Sequence, residues 1–146
     1  MQMQGKKILY YEDQPLMVEI IQLMLEKKMG FLVTNATTPS AVRERLTADR
    51  FDLILLDIRI FYDAAKDKPN NGWEREGLHF LEQLRNGELP GETSKSVPVL
   101  VITAVVNTAD VEKIIEVGGR NKSKCIYMAK PVDLGEVEEA VMELLR

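Results

Sequence analysis

Apolar positions along the chain follow two alternating rhythms. Short, nearly unbroken apolar runs occur at Lys6–Tyr11 (KKILYY), Phe31–Asn35 (FLVTN), Phe51–Ile60 (FDLILLDIRI), Val97–Val106 (VPVLVITAVV) and Lys124–Ala129 (KCIYMA). Between them, apolar residues recur every three or four positions. Aliphatic runs without polar alternation suit strands buried on both faces, as in parallel sheets covered by helices. The helical spacing predicts a first helix from Pro15 to Met29, including Leu16, Ile20, Leu23 and Met24, with proline tolerated in its first turn and Gly30 as its stop. A second helix opens at the Thr37–Ser40 break and runs to about Ala48, with Val42 and Leu46 four residues apart. A third spans about Gly77–Asn86, with Leu78, Leu81 and Leu84 along one side. A fourth spans Thr108–Val117, with Val111, Ile114 and Ile115 expected to face inward and Gly118–Gly119 ending it. The last runs from about Leu134 to Leu145, carrying Val137, Val141, Leu144 and Leu145 on one face. Five β–α units in this order predict an α/β fold, a doubly wound five-stranded parallel sheet with five helices on its two faces.

One stretch breaks the rhythm. Phe61–Glu76 (FYDAAKDKPNNGWERE) is polar and holds a Pro-Asn-Asn-Gly turn signal, Pro69–Gly72. It predicts an extended loop after the third strand.

Composition narrows the functional classes. With 146 residues, the chain is expected to be a single domain, residues 1–146, with no output domain in this chain. A net charge of −4 leaves no broad basic surface for nucleic acid. No apolar run approaches the roughly 20 residues of a membrane helix, and MQMQGKK lacks the apolar core of a signal peptide. Cys125 is the only cysteine, which excludes an internal disulfide and fits a reducing, cytoplasmic location; beside Ile126 it reads as core filling. His79 is the only histidine, so no metal site or catalytic triad built on two histidines can form.

The chemistry lies at the strand ends. The first strand ends in Glu12 and Asp13, the third in Asp57, the fourth in Thr103 and the fifth in Lys130. Parallel strands point their carboxyl ends the same way, so all five residues would meet at one edge of the sheet. Clustered carboxylates repel one another and invite a hard divalent cation, with Mg²⁺ the common choice where phosphate is involved. An aspartate beside such an ion can attack a phosphoryl group to give an acyl phosphate. Lysine and threonine can hold the phosphoryl oxygens, one by charge and the other by hydrogen bond. Each residue also has a plain structural role open to it. Asp57, Glu12 and Asp13 could cap or start helices, Thr103 could be a buried strand threonine, and Lys130 a solvated surface charge.

Together these residues resemble a response-regulator receiver domain of two-component signalling, with a flavodoxin-like receiver fold, over essentially the whole chain. The resemblance rests on Glu12–Asp13 after the first strand, Asp57 after LILL, Thr103–Ala104 after VLVI, and Lys130–Pro131 after IYMA. It implies that Asp57 is the phosphoacceptor. It further implies a Mg²⁺ (or Mn²⁺) site formed by Glu12, Asp13, Asp57 and the backbone carbonyl of Arg59. Thr103 and Ala104 would contact the phosphoryl group, Lys130 would pair with it, and the Lys130–Pro131 bond would be cis. Tyr127, three residues before Lys130, stands where the family places its switch aromatic; a tyrosine at a strand end with a wet hydroxyl is the alternative. The implied partners are a histidine kinase or histidine phosphotransfer protein and a downstream effector protein. A homodimer through the fourth and fifth helices is compatible with the resemblance, though no particular residue argues for one.

The chain departs from the family pattern in three places. Phe61 replaces a common proline, the loop after the acceptor is longer by on the order of ten residues, above the usual α/β connection, and Gly77 is the counterpart of a glycine that normally comes sooner. The loop is either a tolerated insertion or, with Tyr62 and Trp73 as anchors, a shield over the site or a partner-docking element. Val105, two past the threonine, cannot hydrogen-bond an attacking water, which hints at a longer-lived phosphoryl group. Two other functions compete. A degenerate receiver would be a constitutive binding platform, but the acceptor, acidic pair, threonine and lysine are all intact. A haloacid-dehalogenase-type phosphatase needs a second carboxylate two residues past its nucleophile, where this chain has Arg59.

Overall fold

The computed structural model describes residues 4–59, 62–63, 68–69, 76–104 and 107–146, with residues 62–63 and 68–69 described by backbone alone. In chain order the elements are β1 (Lys7–Tyr11), α1 (Pro15–Leu23), β2 (Leu32–Ala36), α2 (Pro39–Ala48), β3 (Leu53–Leu56), β4 (Tyr62–Asp63), β5 (Lys68–Pro69), α3 (Glu76–Arg85), β6 (Val99–Thr103), α4 (Thr108–Gly118), β7 (Cys125–Ala129) and α5 (Leu134–Leu145). Five strands form one parallel sheet in the order β2–β1–β3–β6–β7. The short β4 and β5 pair antiparallel to each other, apart from the sheet. The remainder of the polar Phe61–Glu76 stretch before α3, with its Trp73 anchor, and Val105 lie outside the described residues.

Period-two alternation sorts each strand onto two faces. Leu9, Tyr11, Ile54, Leu56, Val99 and Val101 pack with Val42 and Leu46 of α2, Leu78, Phe80, Leu81 and Leu84 of α3, and Ile114 and Val117 of α4. Ile8, Tyr10, Leu53, Leu55, Leu100 and Ile102 pack with Val18 and Ile21 of α1 and Val137, Val141 and Leu144 of α5. Both layers are built of buried apolar side chains, so the unbroken apolar character of β3 and β6 follows from burial on each side. The chain leaves β1 for β2 on one flank and then crosses to β3 on the other. That reversal opens a crevice at the carboxyl ends of β1 and β3, where ligands of open α/β sheets bind.

Two inward-facing sets differ from the sequence expectation. Leu16, Ile20 and Leu23 of α1 are 75%, 51% and 57% exposed, while Val18, Ile21 and Leu25 take the buried face. The helix is apolar nearly all round, so both sets satisfy a 3.6-residue period, and only packing chooses between them. The regular helix also ends at Leu23 and continues as a π-helical turn over Met24–Lys28 before Gly30, whose φ is +73°. On α4, Ile114 is buried but Ile115 is 59% exposed, because adjacent helical residues point about 100° apart and only one can face the sheet.

Two contacts fix the helices near the site and far from it. At Gly77, a Cβ would stand 2.8 Å from the carbonyl carbon of Asp57 and nearer still to Asp57 O and Ile58 Cα, so α3 begins directly against the Asp57–Ile58 backbone. The Gly77 N–H donates to Ile58 O at 2.8 Å. At the opposite edge, buried Arg85 donates to the carbonyls of Gly118 (2.8 Å), Val97 (2.6 Å), Lys95 (3.0 Å) and Lys124 (3.4 Å). It thereby ties the end of α3 to α4 and to the entries of β6 and β7. Burial pulls its guanidinium down to about 10.

Candidate functional site

The sheet ladder carries each strand-end residue to the crevice. Glu12 N–H donates to Ala36 O (3.1 Å), Asp57 N–H to Tyr11 O (3.0 Å) and Lys130 N–H to Thr103 O (2.8 Å). These last rungs hold the exits of β1, β3 and β7 in register, so the side chains that follow converge. Asp57 is 3% exposed, and Glu12 and Thr103 are fully buried. Asp13 and Lys130 are half-buried at the mouth.

Three donors meet Asp57. Its Oδ1 accepts from the Thr103 hydroxyl at 2.7 Å and from the Arg59 N–H at 3.1 Å, and its Oδ2 lies 3.2 Å from Lys130 Nζ. Lys130 Nζ also donates to Glu12 Oε1 at 2.6 Å and to Gln14 Oε1 at 3.0 Å. The other Glu12 oxygen accepts from the N–H groups of Asp13 (3.0 Å) and Gln14 (3.3 Å), just ahead of α1. Both N–H groups precede α1, whose first turn holds no acidic residue, so Glu12 braces the turn into the helix while the same carboxylate faces Lys130 and Asp57. The Lys130–Pro131 peptide is cis.

The electrostatics follow from burial and crowding. Desolvation, then the neighbouring Asp57 carboxylate, pushes Glu12 up to about 8 despite the opposing pull of Lys130. Burial on its own would lower Lys130, but its contacts with Glu12 and Asp57 outweigh that, and its pKa rises. The site therefore holds one cation between two carboxylates that repel each other. Excess negative charge of this kind is what a divalent cation relieves. Glu12, Asp13 and Asp57 each offer one carboxylate oxygen, all within 4.8 Å of one another. Such a hard, all-oxygen set fits Mg²⁺, which takes one or two carboxylates and completes its shell with water and phosphate oxygens. A cleft of about 230 Å³ opens beside the acidic pair, lined by Glu12, Asp13, Pro15, Val18, Glu19, Asn35 and Thr37.

Other residues singled out in the sequence lie around this cluster. Ala104 follows Thr103 and is half-buried. Tyr127 sits mid-strand on β7, opposite Val101, half-buried against the α2–α3–α4 layer and outside the carboxylate cluster. Three residues at the site escaped sequence reasoning. Gln14 bonds Lys130, Asn35 bonds the backbone of β1, and Tyr10 buries a hydroxyl that has no hydrogen-bond partner among the described residues. Gln14 and Asn35 stand directly beside the acidic pair and at the end of the neighbouring strand, which was the available signal. Nothing in the KILYY run marks Tyr10 as different from its apolar neighbours.

Comparison with known proteins accords with this geometry. A family model described as response regulator receiver domain matches residues 8–142. The transcriptional regulatory protein CrdR of Helicobacter pylori is 30% identical over 136 residues, covering 93% of this chain and 53% of that protein. The response regulator protein PmrA of Pseudomonas aeruginosa is 32% identical over 140 residues, covering 96% and 52%. The chain thus spans about half the length of these curated relatives. Among solved structures, a CheY-like receiver domain protein of Methanospirillum hungatei superposes with a TM-score of 0.73 at 20% identity, covering 97% of this chain and 94% of that one. The receiver domain of the sensor histidine kinase PA1611 of Pseudomonas aeruginosa, which holds a magnesium ion in its active-site cleft, gives 0.66 at 23% identity, covering 97% and 98%. No helix among the described residues is long and apolar enough to cross a membrane.

Proposed function

Because the chain belongs to the response regulator receiver domain family, we propose that it is a phosphoacceptor module, switched by Mg²⁺-dependent phosphorylation of Asp57, with residues 1–146 as one signalling domain. The observation that carries this reading is the Asp57 carboxylate itself, buried and met at once by Thr103, Lys130 and the Glu12–Asp13 pair. On this reading Glu12, Asp13, Asp57 and the Arg59 carbonyl hold the cation, with Glu12 acting directly or through water. When bound, Mg²⁺ offsets the negative charge that gathers as a phosphoryl group approaches three carboxylates.

The chain's own residues do the rest. A carboxylate oxygen of Asp57 forms the new P–O bond while the donor's P–N bond to imidazole, or P–O bond of a small acyl phosphate, breaks. The leaving imidazole takes its proton from solvent. Lys130 Nζ and the Thr103 hydroxyl already touch Asp57, so both can transfer their hydrogen bonds to phosphoryl oxygens over a short distance, and on this reading the backbone of Ala104, next after Thr103, contacts the phosphoryl group as well. Movement of Thr103 toward the phosphoryl group frees room beside β7, where Tyr127 can change its packing and remodel the α4–β7–α5 surface. That is a two-state element biased by a local charge event. The donor, a histidine kinase or histidine phosphotransfer protein, has to bring its phosphohistidine to the mouth of this crevice. Leu16, Ile20 and Leu23 are exposed on α1, the helix that starts beside that mouth, and support docking along it. The output is binding to a downstream effector protein, with no catalytic turnover and no direct contact with nucleic acid.

The test is intact mass after incubation with Mg²⁺ and a small acyl phosphate. The proposal expects the wild type to gain one phosphoryl group and Asp57→Asn to gain none. An unmodified wild type would favour a constitutive binding platform, and steady consumption of the donor would favour a phosphatase.

A further inference from the structure

The acidic pair is held from the side by a residue of the neighbouring strand. β2 is the edge strand, and its backbone ladder to β1 ends at the Glu12 N–H to Ala36 O bond. Beyond that rung β1 turns into α1, and the carbonyl of Glu12 has no strand partner left. Asn35 fills the gap. Its side-chain Nδ2 donates to Tyr10 O at 2.8 Å and to Glu12 O at 3.2 Å, with a longer approach to Ala36 O at 3.5 Å. All three acceptors are carbonyls, so only the amide NH₂ can face them. One side chain thus brackets Tyr11 and Glu12 and extends the ladder past its backbone end. Asn35 also lines the cleft in which Glu12 and Asp13 stand.

We propose that Asn35 is a positioning residue for the metal-binding carboxylates, fixing the backbone from which Glu12 and Asp13 project. The inference rests on the reading that these carboxylates bind Mg²⁺. A small, strongly hydrated ion with strict octahedral demands is sensitive to such placement. Groups that orient the ligands of a metal without touching it are typically worth about 10- to 100-fold in affinity.

Two substitutions separate positioning from charge. Asn35→Ala removes the strap. Asn35→Asp keeps the shape but turns a donor into an acceptor that repels two carbonyls, while adding a negative charge that would by itself draw a cation in. Mg²⁺ affinity is measured by calorimetry on wild type, Asn35→Ala and Asn35→Asp. Amide hydrogen exchange at Glu12 and Asp13 is followed without metal, with Ile126 as a distant reference. The proposal expects both variants to bind Mg²⁺ about 10-fold or more weakly, and both to exchange faster at Glu12 and Asp13 but not at Ile126. An Asn35→Ala affinity within about twofold of wild type, or an Asn35→Asp affinity tighter than wild type, would overturn it. Failure of the wild type to bind Mg²⁺ would instead sink the metal reading, and unchanged exchange in the variants would then still refute the strap.

Discussion

Replacing Gly77 by alanine tests how closely α3 is fitted to the phosphoacceptor. The added methyl would lie 2.8 Å from the Asp57 carbonyl carbon, with Asp57 O and Ile58 Cα closer again. Carbon atoms in contact sit about 3.5–4.0 Å apart, so either the helix or the Asp57–Ile58 backbone must move by about 1 Å. Overpacking of this kind costs about 1–3 kcal/mol. A displacement of about 1 Å at a reacting group can cost about 100-fold in rate. Gly87→Ala provides a matched control at a distance from Asp57. Gly87 has a φ of +73°, with nothing nearer its Cβ position than Lys95 Cδ at 3.6 Å, so alanine there costs about 1 kcal/mol of backbone strain without crowding anything. Urea unfolding and the rate of phosphorylation by a small acyl phosphate are measured on both variants. The expected pattern is two destabilised proteins, of which only Gly77→Ala is slowed, by about 100-fold. Equal phosphorylation rates in the two would refute the argument that α3 sets the position of Asp57.

Three further outcomes follow from the buried polar groups. Glu12 is pushed up to about 8 in the metal-free protein, and a metal needs its carboxylate ionised. Mg²⁺ affinity should therefore climb as pH rises toward 8, with proton release on binding, while metal-free stability falls from about 4.5 upward because the raised pKa favours the folded state only when Glu12 is protonated; a pH-independent affinity in calorimetry would contradict this. Tyr10→Phe removes a buried hydroxyl that has no partner among the described residues and should stabilise the protein by about 1 kcal/mol in urea unfolding, whereas a loss of that size would mean the hydroxyl is bound. Arg85→Met strips the donors from the buried carbonyls of Gly118 and Val97 and should cost about 3 kcal/mol, with a change below about 1 kcal/mol counting against the staple.

The sheet and its order of elements were legible in the chain because burial on both faces leaves strands with no polar residues to alternate. The strand-end residues were legible for the same reason, since polar groups directly after LILL or VLVI stand out. Helix faces were less so. In α1 and the π-helical turn after it, Leu16, Ile20 and Leu23 match a helical period as well as Val18, Ile21 and Leu25, and a helix apolar nearly all round carries little signal for which side meets the sheet. Ile115 beside Ile114 poses the same problem over a single residue. Hydrogen bonds that cross between strands were not legible at all. That Asn35 would reach the carbonyls flanking Tyr11, or that Arg85 would gather four carbonyls from three segments, depends on register and on loop paths. Sequence periodicity carries neither. Gly77 shows the middle case: a glycine after a polar stretch signals a turn, and only the packed structure reveals that it makes room for the Asp57 backbone.

The central claim concerns one carboxylate among three, and site mapping tests it most directly. After phosphorylation in Mg²⁺, treatment with borohydride reduces an aspartyl phosphate to homoserine, and peptide sequencing by mass spectrometry then locates the converted residue. The account predicts conversion at Asp57 alone, with Asp13 and Glu12 unchanged and no conversion when Mg²⁺ is withheld. Conversion at Asp13, or a phosphoryl group on any residue other than Asp57, would contradict it.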